Sequence, residues 1–237
     1  YSGNTEEVID ALETALEKKL SVIVIAVGGA LLQMAHAHDL PYIQLPETGI
    51  QPRSARGYSF RALLKALGEE QALRETRELA TSLKADRYEY EGRQLAEYLK
   101  GTVPVIYASR RNAAIAYNWK ITFNETGKIP AFYNVLPELN HNEMAGFDSK
   151  ELAKNFHFIF LRDDDDHPKV ERRMLILEGL YRDRGIHVEI AEMKGETQFH
   201  KMFSTLLVAD WAAYYTAEVY GFDPEKMQIV EEFKKLI

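Results

Sequence analysis

Apolar residues near the start of the chain fall at Val8, Ile9, Leu12, Ala15 and Leu16, a spacing that lays one stripe along one side of a helix. Glu6, Glu7 and Asp10 stand in its first turns and Lys18 and Lys19 in its last, charges that suit the helix dipole. The pattern then changes to an apolar run, SVIVIAVGG, which predicts a buried strand ending on glycines. A helix over 30–38, a short strand YIQLP and a helix YSFRALLKAL follow, in the β-α-β order of a parallel sheet. Residues 69–100 are charged, give no strand signal and predict helix. Alternation resumes with strands at 103–108, 131–136, 156–161 and 187–193. Helices are predicted over 111–123, 168–183 and 197–220, and a last one over 224–236 with Pro224 in its first turn.

The pattern is that of an α/β protein with parallel sheets. It divides into a first unit over 1–68, a helical connector over 69–100 and a second unit with C-terminal helices over 101–237. The two units are not a plain sequence repeat. The strand that should feed the YSGNT turn is missing ahead of Tyr1, so the first unit reads as truncated at its front edge and the chain as a fragment. With 237 residues, 46% hydrophobic and 27% charged, the composition is that of an ordinary globular protein able to bury a core. The formal net charge of −7 argues against nucleic-acid or membrane-surface binding, which need basic patches, while leaving room for a local basic pocket. The absence of cysteine excludes thiolate chemistry and a disulfide framework and fits a reducing cytoplasm. The apolar stretch 202–220 is broken by Asp210 and Glu218 and reads as a buried helix, not a membrane span.

Ligands of open parallel sheets bind at the carboxyl ends of strands, where the next helix begins. Tyr1-Ser2-Gly3-Asn4-Thr5 stands at such a place, directly ahead of the first helix. The helix start offers unpaired N–H groups, Ser2 and Thr5 add hydroxyls, and Gly3 lets the backbone come close, which together suit a phosphate. The same residues equally suit a plain helix start, with Asn4 or Thr5 as N-cap and Asn4 and Glu7 as a capping box. RDDDDHPKVERR invites a metal, but four consecutive carboxylates are not expected to converge on one ion from a single turn; Asp166 or His167 before Pro168 reads as a helix start. His36 and His38, two apart, face different sides of their helix. VGGALL lacks the G-x-G-x-x-G dinucleotide fingerprint, and WAAYY (211–215) reads as packing.

The S-G-N-T stretch resembles the S-x-S-G-x-T phosphate loop of sugar isomerase (SIS) domains, with the first serine falling ahead of Tyr1. GGALLQMAHAHDLPYIQLP, QPRSARGYSF and NVLPELNHNEMAGF resemble segments of the bifunctional phosphoglucose/phosphomannose isomerases, in the same order over nearly the whole chain. PELNHNE is the most specific of them. The resemblance implies two SIS-type, flavodoxin-like αβα sandwich domains, the first truncated. It implies a metal-independent and cofactor-free aldose–ketose isomerase, interconverting glucose 6-phosphate or mannose 6-phosphate with fructose 6-phosphate through a cis-enediol.

Roles carry over position by position. Ser2 and Thr5, with backbone help from Gly3 and Asn4, would grip the phosphate, and Arg53 in QPRSARGY would steady the enediolate oxygens. Glu125 of the F-N-E segment in WKITFNETGKIP would be the base that moves the proton between C2 and C1. His141, sixteen residues later in LPELNHNE, would open the ring. In the family this histidine reaches the site from the neighbouring subunit, so a homodimer is implied. Lys234 on the final helix matches the family's C-terminal lysine, whereas a threonine found in some members falls on Met227. A non-catalytic sugar-phosphate sensor on the same domains stays open as the alternative; Glu125 and His141 together favour the enzyme.

Overall fold

A computed structural model describes residues 1–236 and divides into two units, Tyr1–Ala80 and Thr81–Ile237. The first begins with α1 (Glu6–Glu17), β1 (Val24–Ala26), α2 (Gly29–Ala37) and β2 (Tyr42–Gln44). A 3₁₀ turn (Pro52–Ser54) and α3 (Arg56–Ala66) follow, and α4 (Glu70–Ser82) crosses the boundary. β1 and β2 pair in parallel, Val24 opposite Tyr42 and Ala26 opposite Gln44. The long apolar run 21–29 yields only three strand residues, because a ladder extends no further than its partner and β2 is three residues long. The small core joins Leu12, Val24, Ala26, Leu31, Leu32 and Ala35. α1 closes ahead of its lysines: Lys19 turns left-handed at φ 52° and its N–H returns to Leu16 O at 2.9 Å.

The second unit contains α5 (Glu89–Tyr98), β3 (Val103–Ser109), α6 (Ala113–Glu125), β4 (Phe132–Leu136), α7 (Lys150–Ala153), β5 (Phe156–Arg162), α8 (Pro168–Asp183), β6 (His187–Glu192), α9 (Gln198–Val219) and α10 (Gln228–Lys234). Its four strands are all parallel, in the order β4-β3-β5-β6. Successive strand residues point to opposite faces, and this period divides the interior in two. Ile106, Ala108, Ile159 and Leu161 meet Leu95, Trp119, Phe123 and Ala212, from α5, α6 and α9. Val105, Tyr107, Phe158 and Phe160 meet Met174, Leu177 and Tyr181 of α8 on the other side. The result is an αβα sandwich. Deleting one of its larger side chains, such as the fully buried Phe123, costs about 3–5 kcal/mol.

The helical segment 69–100 appears as α4, a 3₁₀ turn and α5, and α5 is a layer of the second unit's core: Leu99 is fully buried. Its close approach to α9 depends on Gly92, where a Cβ would fall 2.4 Å from Trp211 Cβ. The last helix starts at Gln228, not at Pro224. Asp223 Oδ1 accepts from the Glu225 N–H at 2.9 Å, so a turn takes the place of the expected first helical residues. Among the described residues no helix is long and apolar enough to cross a membrane.

Candidate functional site

In the first unit the opening residues are stitched to the turn between β1 and α2. The Val27 N–H donates to Tyr1 O at 2.8 Å, the Leu31 N–H to Gly3 O at 3.0 Å and the Ala30 N–H to Asn4 Oδ1 at 3.0 Å. Asn4 therefore caps α2 instead of pairing with Glu7 in a capping box. Gly3 sits at φ +84°, and a Cβ there would lie 1.9 Å from Gly28 O, so only glycine fits. The Asn4 N–H donates to Ser2 Oγ at 3.2 Å, which leaves the Ser2 hydroxyl proton for a further acceptor. Thr5 is the N-cap residue of α1 but makes no side-chain cap bond, so the first-turn N–H groups are not closed by their own cap. Ser2 and Thr5 are both exposed. Arg53, half-buried, lies in the 3₁₀ turn Pro52–Ser54.

The second unit's strand order reverses at β3, whose neighbours are β4 on one side and β5 on the other. A crevice at the carboxyl ends of such strands is the usual ligand position. Here the polar groups that follow β3 and β5 are paired within the chain. Lys201 of α9 donates to Asp163 Oδ1 at 3.1 Å, to Asp165 Oδ2 at 2.7 Å and to Asp164. The Asn112 amide donates to Asp163 Oδ2 at 3.0 Å. Three of the four consecutive carboxylates converge, without Asp166, and the ion they hold is a lysine ammonium. Burial pushes Asp163 up, but Asn112, the Asp165 N–H and Lys201 outweigh it and hold the carboxyl below its ordinary range. Burial pushes Lys201 down, and its three carboxylates more than reverse that. His167 is the N-cap of α8, its Nδ1 accepting from the Lys169 N–H at 3.1 Å, with Pro168 opening the helix.

An open cavity of about 840 Å³ lies between the last turns of α6 and the segment leading into α10. Its wall includes Tyr117, Lys120, Glu125, Lys128, Lys226 and Met227. Glu125, the last residue of α6, is half-buried there. Lys128 takes the left-handed conformation at φ 59°, and its ammonium folds back to donate to the Glu125 carbonyl and to approach Met227 Sδ at 3.6 Å. Met227, expected where a hydroxyl would stand, is on the same wall. Lys234 is not on that wall: it is exposed at the end of α10 and pairs with Glu231 at 3.1 Å. His141 is exposed on the 3₁₀ turn after β4, its N–H donating to Glu138 O at 2.8 Å.

Of the residues singled out from sequence, Ser2 to Thr5 form one local turn, and Glu125 and Met227 share one cavity. Arg53 belongs to the first unit and His141 and Lys234 to other parts of the second. Lys128 and Lys226 escaped the sequence reading. Thr-Gly-Lys after a helix end was a usable signal for Lys128, since glycine near a C-cap marks a chain that folds back.

Comparison with known proteins adds lineage to this geometry. A profile of the bacterial phospho-glucose isomerase C-terminal SIS domain matches residues 89–237. The chain is 33% identical over 239 residues to a bifunctional phosphoglucose/phosphomannose isomerase of Thermoplasma volcanium, covering 100% of this chain and 75% of that protein. A protein of the same name from Aquifex aeolicus is 29% identical over 235 residues, covering 99% and 73%. Among solved structures, tagatose-6-phosphate ketose/aldose isomerase from Escherichia coli matches with a TM-score of 0.68 at 16% identity, over 95% of this chain and 68% of that one, a likeness of fold.

Proposed function

Because the chain belongs to the family of bacterial phospho-glucose isomerases with SIS domains, we propose that it interconverts glucose 6-phosphate or mannose 6-phosphate with fructose 6-phosphate. The observation that carries this reading is Glu125, half-buried on the wall of the second unit's cavity, whose volume is in the range of small-molecule sites. A carboxylate partly withdrawn from solvent and within reach of a sugar is what proton transfer between adjacent carbons requires.

In this reading the Ser2 and Thr5 hydroxyls and the backbone around Gly3 and Asn4 grip the phosphate. The bond from the Asn4 N–H to Ser2 Oγ supports it, because it orients the serine oxygen while leaving its proton to donate. His141 opens the ring by giving a proton to the ring oxygen as the anomeric hydroxyl loses one, with Lys234 as an assisting cation. Glu125 then removes the proton at C2, the electron pair moves to form the cis-enediol, and the same carboxyl returns a proton to C1. Arg53 steadies the enediol oxygens as charge grows on them. No metal is needed for these steps. Glucose and mannose 6-phosphates differ only at C2, which becomes planar in the enediol, so one base serves both. The active form is a homodimer in the cytoplasm, His141 completing the partner's site.

Glu125→Gln keeps the size of the side chain and removes the base. Incorporation of solvent deuterium into fructose 6-phosphate should fall by about a hundredfold or more, while the thermal shift given by fructose 6-phosphate persists. Exchange at the wild-type rate would remove Glu125 from the reaction.

A further inference from the structure

We propose that Lys128 is a positioning residue that sets the carboxylate of Glu125 for proton transfer; the inference rests on Glu125 being the base. The turn after α6 is tied back onto the helix at several points. The Thr126 and Gly127 N–H groups both return to Thr122 O, at 2.9 and 3.2 Å, and Asn124 Nδ2 donates to Ile129 O at 2.9 Å. Lys128 adds the tie that ends on the catalytic position itself. Its backbone occupies the left-handed region at φ 59°, a conformation that disfavours any residue with a Cβ. That conformation brings the ammonium back over the helix end, onto the carbonyl of Glu125 and against Met227 Sδ at 3.6 Å.

The electrostatic consequence is specific to this place. The carboxyl end of a helix carries partial negative charge and repels a carboxylate in the last turn. An ammonium on the terminal carbonyl offsets that repulsion at the residue that has to carry the charge. Because the same ammonium meets Met227, it also ties the helix end to the segment leading into α10, and with it the direction of the Glu125 side chain. Small displacements of a base are expensive, about a hundredfold in rate for about 1 Å. A simple helix cap would need only a hydrogen-bond donor. A positioning cation needs the charge.

Two variants of the intact protein separate these roles. Lys128→Gln retains a donor and discards the charge; Lys128→Arg retains both. Positioning predicts that Lys128→Gln lowers kcat by about tenfold or more with KM for fructose 6-phosphate changed less than about twofold. The melting temperature should fall by no more than about 4 °C, the share of a single helix-end charge, and Lys128→Arg should recover most of the lost kcat. The proposal is overturned if Lys128→Gln keeps its kcat while Glu125→Gln has lost exchange, which leaves the base intact and makes Lys128 dispensable. It is overturned equally if the fall in kcat is matched by a fall in stability that arginine does not repair. Should Glu125→Gln retain exchange, the base assignment itself is wrong and the role of Lys128 goes with it.

Discussion

His157 shows what burial alone does to a side chain. It stands second in β5 with 3% of its surface exposed, and neither ring nitrogen makes a well-formed hydrogen bond, although the Tyr98 backbone lies near and pulls weakly against the shift. His187 stacks beside it at 5.5 Å, and Glu189 Oε1 is 3.9 Å from Nε2, beyond hydrogen-bond reach. Burial first, and the neighbouring His187 second, push the imidazole from its ordinary 6.5 down to about 4. The fold thus holds the neutral ring, and the unfolded chain binds the proton more readily. Stability contributed by the neutral ring is complete above pH 6.5 and declines as pH falls toward about 4. At about pH 5 the loss amounts to about 2 kcal/mol. Urea midpoints measured at about pH 7 and pH 5 should reveal it, and His157→Phe should flatten the difference; an unchanged slope with pH in that variant would assign the effect elsewhere. Nothing in FHFIFL distinguishes the histidine from its apolar neighbours except its chemistry. Which face of a strand is dry depends on layers supplied by distant residues, so its burial was not legible.

The acidic run Asp163 to Asp166 was legible as a helix start, but the convergence of three of its carboxylates on one cation was not. Its partner comes from α9, nearly forty residues on: Lys201 is separated from Asp164 by 37 positions. Local pattern cannot register such a pairing. Lys201→Met leaves the carboxylates facing one another without their ammonium; Asp163 is buried but Asp164 and Asp165 are exposed, so the loss should be about 1–3 kcal/mol. Equilibrium urea unfolding of that variant checks the figure, and a loss below about 1 kcal/mol would mean that solvent already screens the cluster. Elsewhere the boundaries followed periodicity where a helix had both a start signal and a long amphipathic run. α8 begins at the Pro168 the sequence marks and ends at Asp183 as expected. α10 begins later than expected because Asp223 organises a turn that uses up Pro224. β1 is shorter than its apolar run because its neighbour is short.

For the molecule as a whole, the α/β class and the parallel pairing were written in the alternation of strand and helix signals. The site was not. Glu125, Arg53 and Lys234 look like ordinary surface residues taken singly, and only the order of the motifs along the chain singles them out. The proposed dimer gives this scale its own test. Glu125→Gln and His141→Ala subunits, each inactive alone, should regain about a quarter of wild-type activity when unfolded together and refolded as an equal mixture, since half the dimers are mixed and each holds one intact site. No recovery would confine His141 to its own subunit. The ammonium of Lys201 already pairs with the carboxylates that follow β5. An added divalent cation would have to displace that tethered charge before it could bind there.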